Sequence, residues 1–111
     1  MPTPNRDDVF RTLADLTRRR ILDMLTENGP MSVNQLAAGF PDLAVSGISK
    51  HLMGLRAARL VSARRRGRER IYRIDARVLA EALAPWLAKY EPYWADALER
   101  LRRLAEAPPA P

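Results

Sequence analysis

The side chains best suited to engage another molecule lie close together in this chain. Ser46, Gly47, Ser49 and Lys50 are small or cationic, and His51 and Arg56 follow within two helical turns. Arg64, Arg65, Arg66, Arg68 and Arg70 then place five guanidiniums around Gly67. Small hydroxyl side chains and an ammonium group on one helix can reach base edges or phosphates, and guanidiniums grip phosphates and guanine edges in a planar, bidentate way. The charge is concentrated there. Residues 44–73 hold nine cations and one acid, Glu69, so they carry +8. Residues 1–43 and 74–111 each carry −1, which gives +6 over 111 residues. A basic surface that served only solubility would spread its charge; a thirty-residue concentration is the footprint of a nucleic-acid contact.

Other chemistries find little support. The chain has no Cys, which excludes disulfides, zinc fingers and thiol redox sensing. His51 is the single His, and it stands beside an apolar stripe, where packing or a phosphate hydrogen bond is expected rather than metal ligation. No phosphate loop, Cys nucleophile or Ser/His/Asp order appears, and Asp7 and Asp8 read as helix-start acids, so no catalytic residue, cofactor or metal site is expected. No apolar run reaches membrane-span length, and the polar start MPTPNRDD is no signal peptide, so a cytoplasmic protein with no membrane partner is expected.

The elements that must position these residues follow from periodicity. Val9, Phe10, Leu13 and Leu16 predict a first helix over 7–15. Thr17 is the expected N-cap of a second, with Ile21, Leu22 and Leu25 as its stripe and Asn28-Gly29-Pro30 as its stop. Ser32 opens a short third helix that buries Val33, Leu36 and Ala37 and ends at Gly39-Phe40-Pro41. Val45, Ile48, Leu52 and Leu55 form the stripe of a fourth. The pattern then turns extended, with strands over 61–65 and 70–74 and Gly67 at the tip of a hairpin. A terminal helix over 76–106 is interrupted near Pro85 and Pro92, and 107–111 form a flexible tail. This is the element order of a winged helix-turn-helix: mainly α, a small β-hairpin, one domain over 1–111 with its DNA-binding core at 7–75.

Two motifs carry a resemblance. Leu13-Ala14-Asp15 with Thr17-Arg18-Arg19-Arg20-Ile21-Leu22, and Ser49-Lys50-His51-Leu52 with Leu55 and Leu60-Val61, resemble the opening and the recognition helix of ArsR-type bacterial repressors. The Arg-Gly-Arg-Glu turn before Ile71-Tyr72-Arg73-Ile74 fits their wing, and the segment from Pro85 to Trp94 looks closest to the metal-independent, SdpR-like branch. The resemblance implies a homodimeric repressor that binds a double-stranded, palindromic operator. Metal sensors of the family use Cys pairs or carboxylate–His sets that this chain lacks. Three departures stand out: Asp15-Leu16-Thr17 lacks the usual Pro before Thr, Arg59 replaces the usual capping Gly, and Gly47 softens the recognition helix.

The expected DNA contacts are Ser46, Gly47, Ser49, Lys50, His51 and Arg56 on the helix, with Arg64, Arg66, Arg68 and Arg70 on the wing. Arg66 and Arg68 take first place because strand alternation must turn some arginines inward, and Glu69 is expected to pair with a neighbouring Arg. Trp86, Tyr90 and Trp94 recur every four residues beside Tyr93, and Leu87, Leu98 and Leu101 extend their stripe. With Phe10 and Leu13 they form the expected dimer interface; packing on the protein's own core and a small-molecule pocket are the alternatives. A module that binds RNA or a protein partner, and a repressor with a small-molecule inducer, compete as functions.

Overall fold

Among the described residues, six helices and three short strands are laid down as α1 (Arg6–Leu13), α2 (Leu16–Asn28), β1 (Met31–Ser32), α3 (Val33–Ala37), α4 (Val45–Ala57), β2 (Val61–Arg66), β3 (Glu69–Ile74), α5 (Ala76–Ala88) and α6 (Glu91–Glu106). This computed structural model describes residues 6–106; the tail expected over 107–111 lies outside the described residues.

The boundaries follow local chemistry. Asp15, not Thr17, caps α2: its carboxylate accepts the Arg18 backbone N–H at 3.0 Å. Asp is as good a cap as Thr and stands one residue before the first helical turn, so it takes the orphan donor first. The first helix therefore stops at Leu13, and Leu16 opens α2 with 71% of its surface exposed, outside the stripe expected of it. Gly29, at φ +77°, ends α2 by donating its N–H to the Leu25 carbonyl at 2.9 Å. Ser32 starts α3 as expected, through a capping box. Its backbone N–H donates to Gln35 Oε1 at 2.8 Å, and its Oγ accepts the Gln35 N–H at 3.1 Å.

The helix α4 ends on a Schellman turn. Leu60 N–H donates to the Leu55 carbonyl and Arg59 N–H to that of Arg56, both at 3.0 Å. Arg59 sits there at φ +60°, the sole described non-glycine residue in the left-handed region.

Ile21, Leu22, Leu25, Leu36, Ile48, Leu52, Leu55, Leu60 and Val61 form the core, closed by Val9 from α1 and Tyr72 from β3. The core thus joins α1–α4 to the base of the hairpin. Val45, expected in the α4 stripe, is 48% exposed. At 100° per residue Ile48, Leu52 and Leu55 share a 60° arc, and Val45 lies beyond its edge.

The hairpin is one strand richer than expected. β1 pairs antiparallel with β3 through Met31↔Tyr72 and Ser32↔Ile71, giving the order β1-β3-β2. The strands β2 and β3 also close further towards the tip, to the pair Arg66↔Glu69, leaving Gly67 at φ +64° and Arg68 as a two-residue turn. The terminal helix is two helices, α5 and α6. Pro85 is accommodated inside α5, and the break falls at Lys89–Tyr90, before Pro92 in the first turn of α6, where its missing N–H costs nothing. Neither α5 nor α6 buries a residue fully. The radius of gyration is 17.7 Å, against about 13 Å for a compact chain of some 100 residues, because α6, unlike α5, packs no side chain against the core.

Candidate nucleic-acid interface

The fourth helix presents three faces. Ile48, Leu52 and Leu55 anchor it in the core. Opposite them Ser46, Lys50, Met53 and Ala57 are exposed. Ser49 and Met53 border the hairpin, and with Asn34, Arg68, Glu69, Arg70 and Tyr72 they line a cleft of about 420 Å³. Of the residues expected to contact DNA, Ser46, Lys50 and Arg56 are therefore free on the surface, and Gly47 and Ser49 are half-buried. A Cβ on Gly47 would meet nothing within 4 Å, so no protein neighbour demands glycine there.

His51 faces another way. Arg18 Nε of α2 donates to His51 Nδ1 at 3.3 Å, and the Asp15 carboxylate lies 4.0 Å from the same nitrogen. The Arg18 backbone N–H holds the Asp15 carboxyl below its ordinary value, against the opposing effect of desolvation. The guanidinium of Arg18 also lies over Gly54, 2.7 Å from where a Cβ would stand. A Cβ at that position would displace the Arg18 guanidinium from its place beside His51. His51 thus ties the recognition helix to the start of α2.

Register divides the wing arginines. Arg65 and Arg70 are cross-strand partners on the face shared with Ala63 and Tyr72, whereas Arg64, Arg66 and Arg73 share the outer face with Ile71. All are exposed, because the hairpin projects past the core. Arg68 and Arg70 line the cleft beside the recognition helix. Arg65 Nε donates to the Gly67 carbonyl at 3.3 Å and braces the turn. Glu69 makes no ion pair among the described residues; exposed pairs gain too little to hold two side chains together.

Known proteins share this arrangement. A family model described as a helix-turn-helix domain matches residues 13–63. The HTH-type transcriptional regulator Rv2034 of Mycobacterium tuberculosis is 34% identical over 91% of this chain and 89% of its own length. The transcriptional repressor SdpR of Bacillus subtilis is 32% identical over 76% of this chain and 90% of its own. A crystal structure of an ArsR family transcriptional regulator superposes with a TM-score of 0.68, at 32% identity, over 80% of this chain and 89% of that one. The chain belongs to the ArsR family of winged helix-turn-helix transcriptional regulators. Another ArsR-family match is the homodimeric winged helix-turn-helix DNA-binding domain of a possible regulator from Mycobacterium bovis (TM-score 0.61, 29% identity, 77% of this chain and 78% of that one).

In this ArsR-family chain the aromatics expected at an interface are gathered on one side. Trp86 of α5 meets Phe10 of α1 edge-on at 5.5 Å and Tyr90 at 5.2 Å. Phe10, Leu13, Leu87 and Trp94 are half-buried, and Trp86, Tyr90, Tyr93, Leu98 and Leu101 are exposed. On α6, Tyr93, Leu98, Leu101 and Leu104 lie opposite the ion pairs that Glu99 makes with Arg102 (2.6 Å) and Arg103 (3.5 Å). Packing on the protein's own core therefore accounts for only part of the aromatic surface. A separate cleft of about 360 Å³, lined by Leu13, Leu16, Leu79 and Leu83 among others, touches none of these five aromatics.

Sequence reasoning missed two surface residues of the recognition helix, Val45 and Met53. The signal for Met53 was present: it lies 100° or more from every residue of the buried stripe.

Proposed function

We propose that this chain is a homodimeric, metal-independent repressor that binds a palindromic operator in the cytoplasm. The observation that carries the reading is the cleft where Ser49 and Met53 of α4 face Arg68 and Arg70 of the wing, within the +8 segment. Ser46, Gly47, Ser49 and Lys50 enter the major groove, Arg56 meets a phosphate, and the turn bearing Arg68 reaches the adjacent backbone or minor groove. Arg70 supports it from the cleft side, and Arg64 and Arg66 meet flanking phosphates from the outer face. His51 holds the helix at its angle through Arg18 and lends its second nitrogen to the backbone.

The apolar faces of α5 and α6, together with Phe10 and Leu13, form the dimer interface. The homodimeric Mycobacterium bovis neighbour supports that assembly, and SdpR supports the repressor role. Two recognition helices related by a twofold axis then meet successive major grooves one helical turn apart. Metal independence rests on the absent Cys and the single His; among the described residues no three His, Asp or Glu side chains come together as a metal site would require.

The test is titration of variants with a duplex selected from a random pool, an unselected duplex and an RNA duplex of equal length, at several salt concentrations. Arg68→Ala should weaken both DNA duplexes alike and lower the salt slope by about 1. Lys50→Ala or Ser49→Ala should instead erode the preference for the selected site, by about 1–3 kcal/mol where a base contact is lost. Equal affinity for the RNA duplex, or loss of discrimination on Arg68→Ala alone, overturns the assignment.

A further inference from the structure

The proposed contacts leave two exposed large apolar side chains of the recognition helix, Val45 and Met53, without a task, and Met53 is the more exposed. Met53 is 69% exposed, on the outward arc shared with Ser46 and Lys50, and it lines the cleft with Arg68 and Arg70. A flexible thioether held in water among cations gains nothing for the fold, and the core already draws Ile48, Leu52 and Leu55 from the same helix. The surrounding charge sets what can cover it. A partner approaching this face meets Lys50, Arg56, Arg68 and Arg70, so it must be anionic outside and offer an apolar point at the helix surface. Duplex DNA is such a partner: its backbone satisfies the cations, and the thymine C5-methyl is the apolar group on the major-groove floor.

We propose that Met53 is a specificity residue that reads a thymine methyl in each half-site. Ser46, Ser49 and Lys50 supply the polar readout over the first turns of α4, and Met53 adds an apolar contact further along the helix. Its unbranched side chain adapts to the methyl as no β-branched residue would. This inference rests on the DNA-binding reading above and adds a base preference to it.

The experiment uses the full chain and a duplex selected by it from a random pool. Each thymine of a half-site is replaced singly by deoxyuridine, which removes the methyl and leaves the hydrogen-bonding edge intact. At one position the wild type should bind about fourfold more weakly per half-site, as loss of one buried methyl implies. Met53→Ala should bind the thymine and deoxyuridine duplexes equally, with an unchanged salt slope. Met53 is exposed on a helix and Ala is a strong helix former, so this variant keeps the fold; Met53→Gln keeps the length and removes the apolar end, and should behave as the Ala variant does. Wild-type indifference to every replacement overturns the inference, as does a sensitivity that persists in Met53→Ala. Failure to select any duplex would instead overturn the DNA-binding reading itself, and the two failures are told apart at the first step.

Discussion

Replacing Arg59 by Gly should make the protein more stable, and the structure sets the size of the gain. Arg59 holds φ at +60° because two hydrogen bonds close the end of α4 around it, Leu60 N–H to Leu55 and Arg59 N–H to Arg56. A residue with a Cβ spends about 1–2 kcal/mol in that region, since the Cβ crowds a carbonyl oxygen. Glycine removes the crowding but loses about 0.5–1 kcal/mol more backbone entropy on folding. The Arg59 side chain makes no hydrogen bond or ion pair among the described residues, so little else is forfeited. The net gain is about 0.5–1 kcal/mol, a rise in Tm of roughly 2–8 °C for a domain of this size. Thermal or urea unfolding at one fixed protein concentration measures it, because dimerisation would make Tm concentration-dependent. Arg59→Ala is the control: it removes the same charge and stem but keeps the Cβ, and should gain nothing. If Arg59→Gly is destabilised, or if the Gly and Ala variants coincide, the strain at this position is not what limits the turn.

Trp86→Ala removes two edge-on contacts, to Phe10 and Tyr90, each worth about 0.5–1.5 kcal/mol. It should weaken self-association at least tenfold in sedimentation equilibrium, and a wild type that stays monomeric at micromolar concentration would refute the interface. Asp15→Ala should cost about 1 kcal/mol in urea unfolding through the lost cap of α2. Because the folded Asp15 pKa lies below the ordinary 3.8, this contribution is present in full above that value and disappears as pH falls through the lowered one. The wild-type and Ala curves should therefore converge only on the acid side; a gap that persists at pH 2 would point to a different role. Stoichiometric zinc should leave DNA affinity unchanged, and a chelator-reversible release of DNA would refute metal independence.

Much of the architecture was legible in the residues because local chemistry decided it. Ser32 at the start of α3, Gly29 before Pro30, the 4-3 spacing of Ile48, Leu52 and Leu55, and Gly67 between arginines each act within one turn of helix or one hairpin, and each stands where the sequence implies. The concentration of +8 charge on one segment is likewise a property of the chain alone. Where two local signals competed, sequence could not rank them: Asp15 and Thr17 are both good caps, and only the geometry of the α1–α2 corner selects Asp15. Other features depend on contacts distant in the chain. β1 becomes a strand because β3, some forty residues on, offers its free edge to Met31 and Ser32. His51 finds its partner in Arg18 of α2, whose guanidinium also lies over Gly54. Strand alternation foretold that the wing arginines would divide, but which of them face the recognition helix was set by how the sheet docks on the core. Met53 faces outward for the same reason: periodicity gives its angle relative to Ile48 and Leu52, and only the packing of α4 against α2, α3 and the hairpin turns that angle into an exposed side chain over a basic cleft.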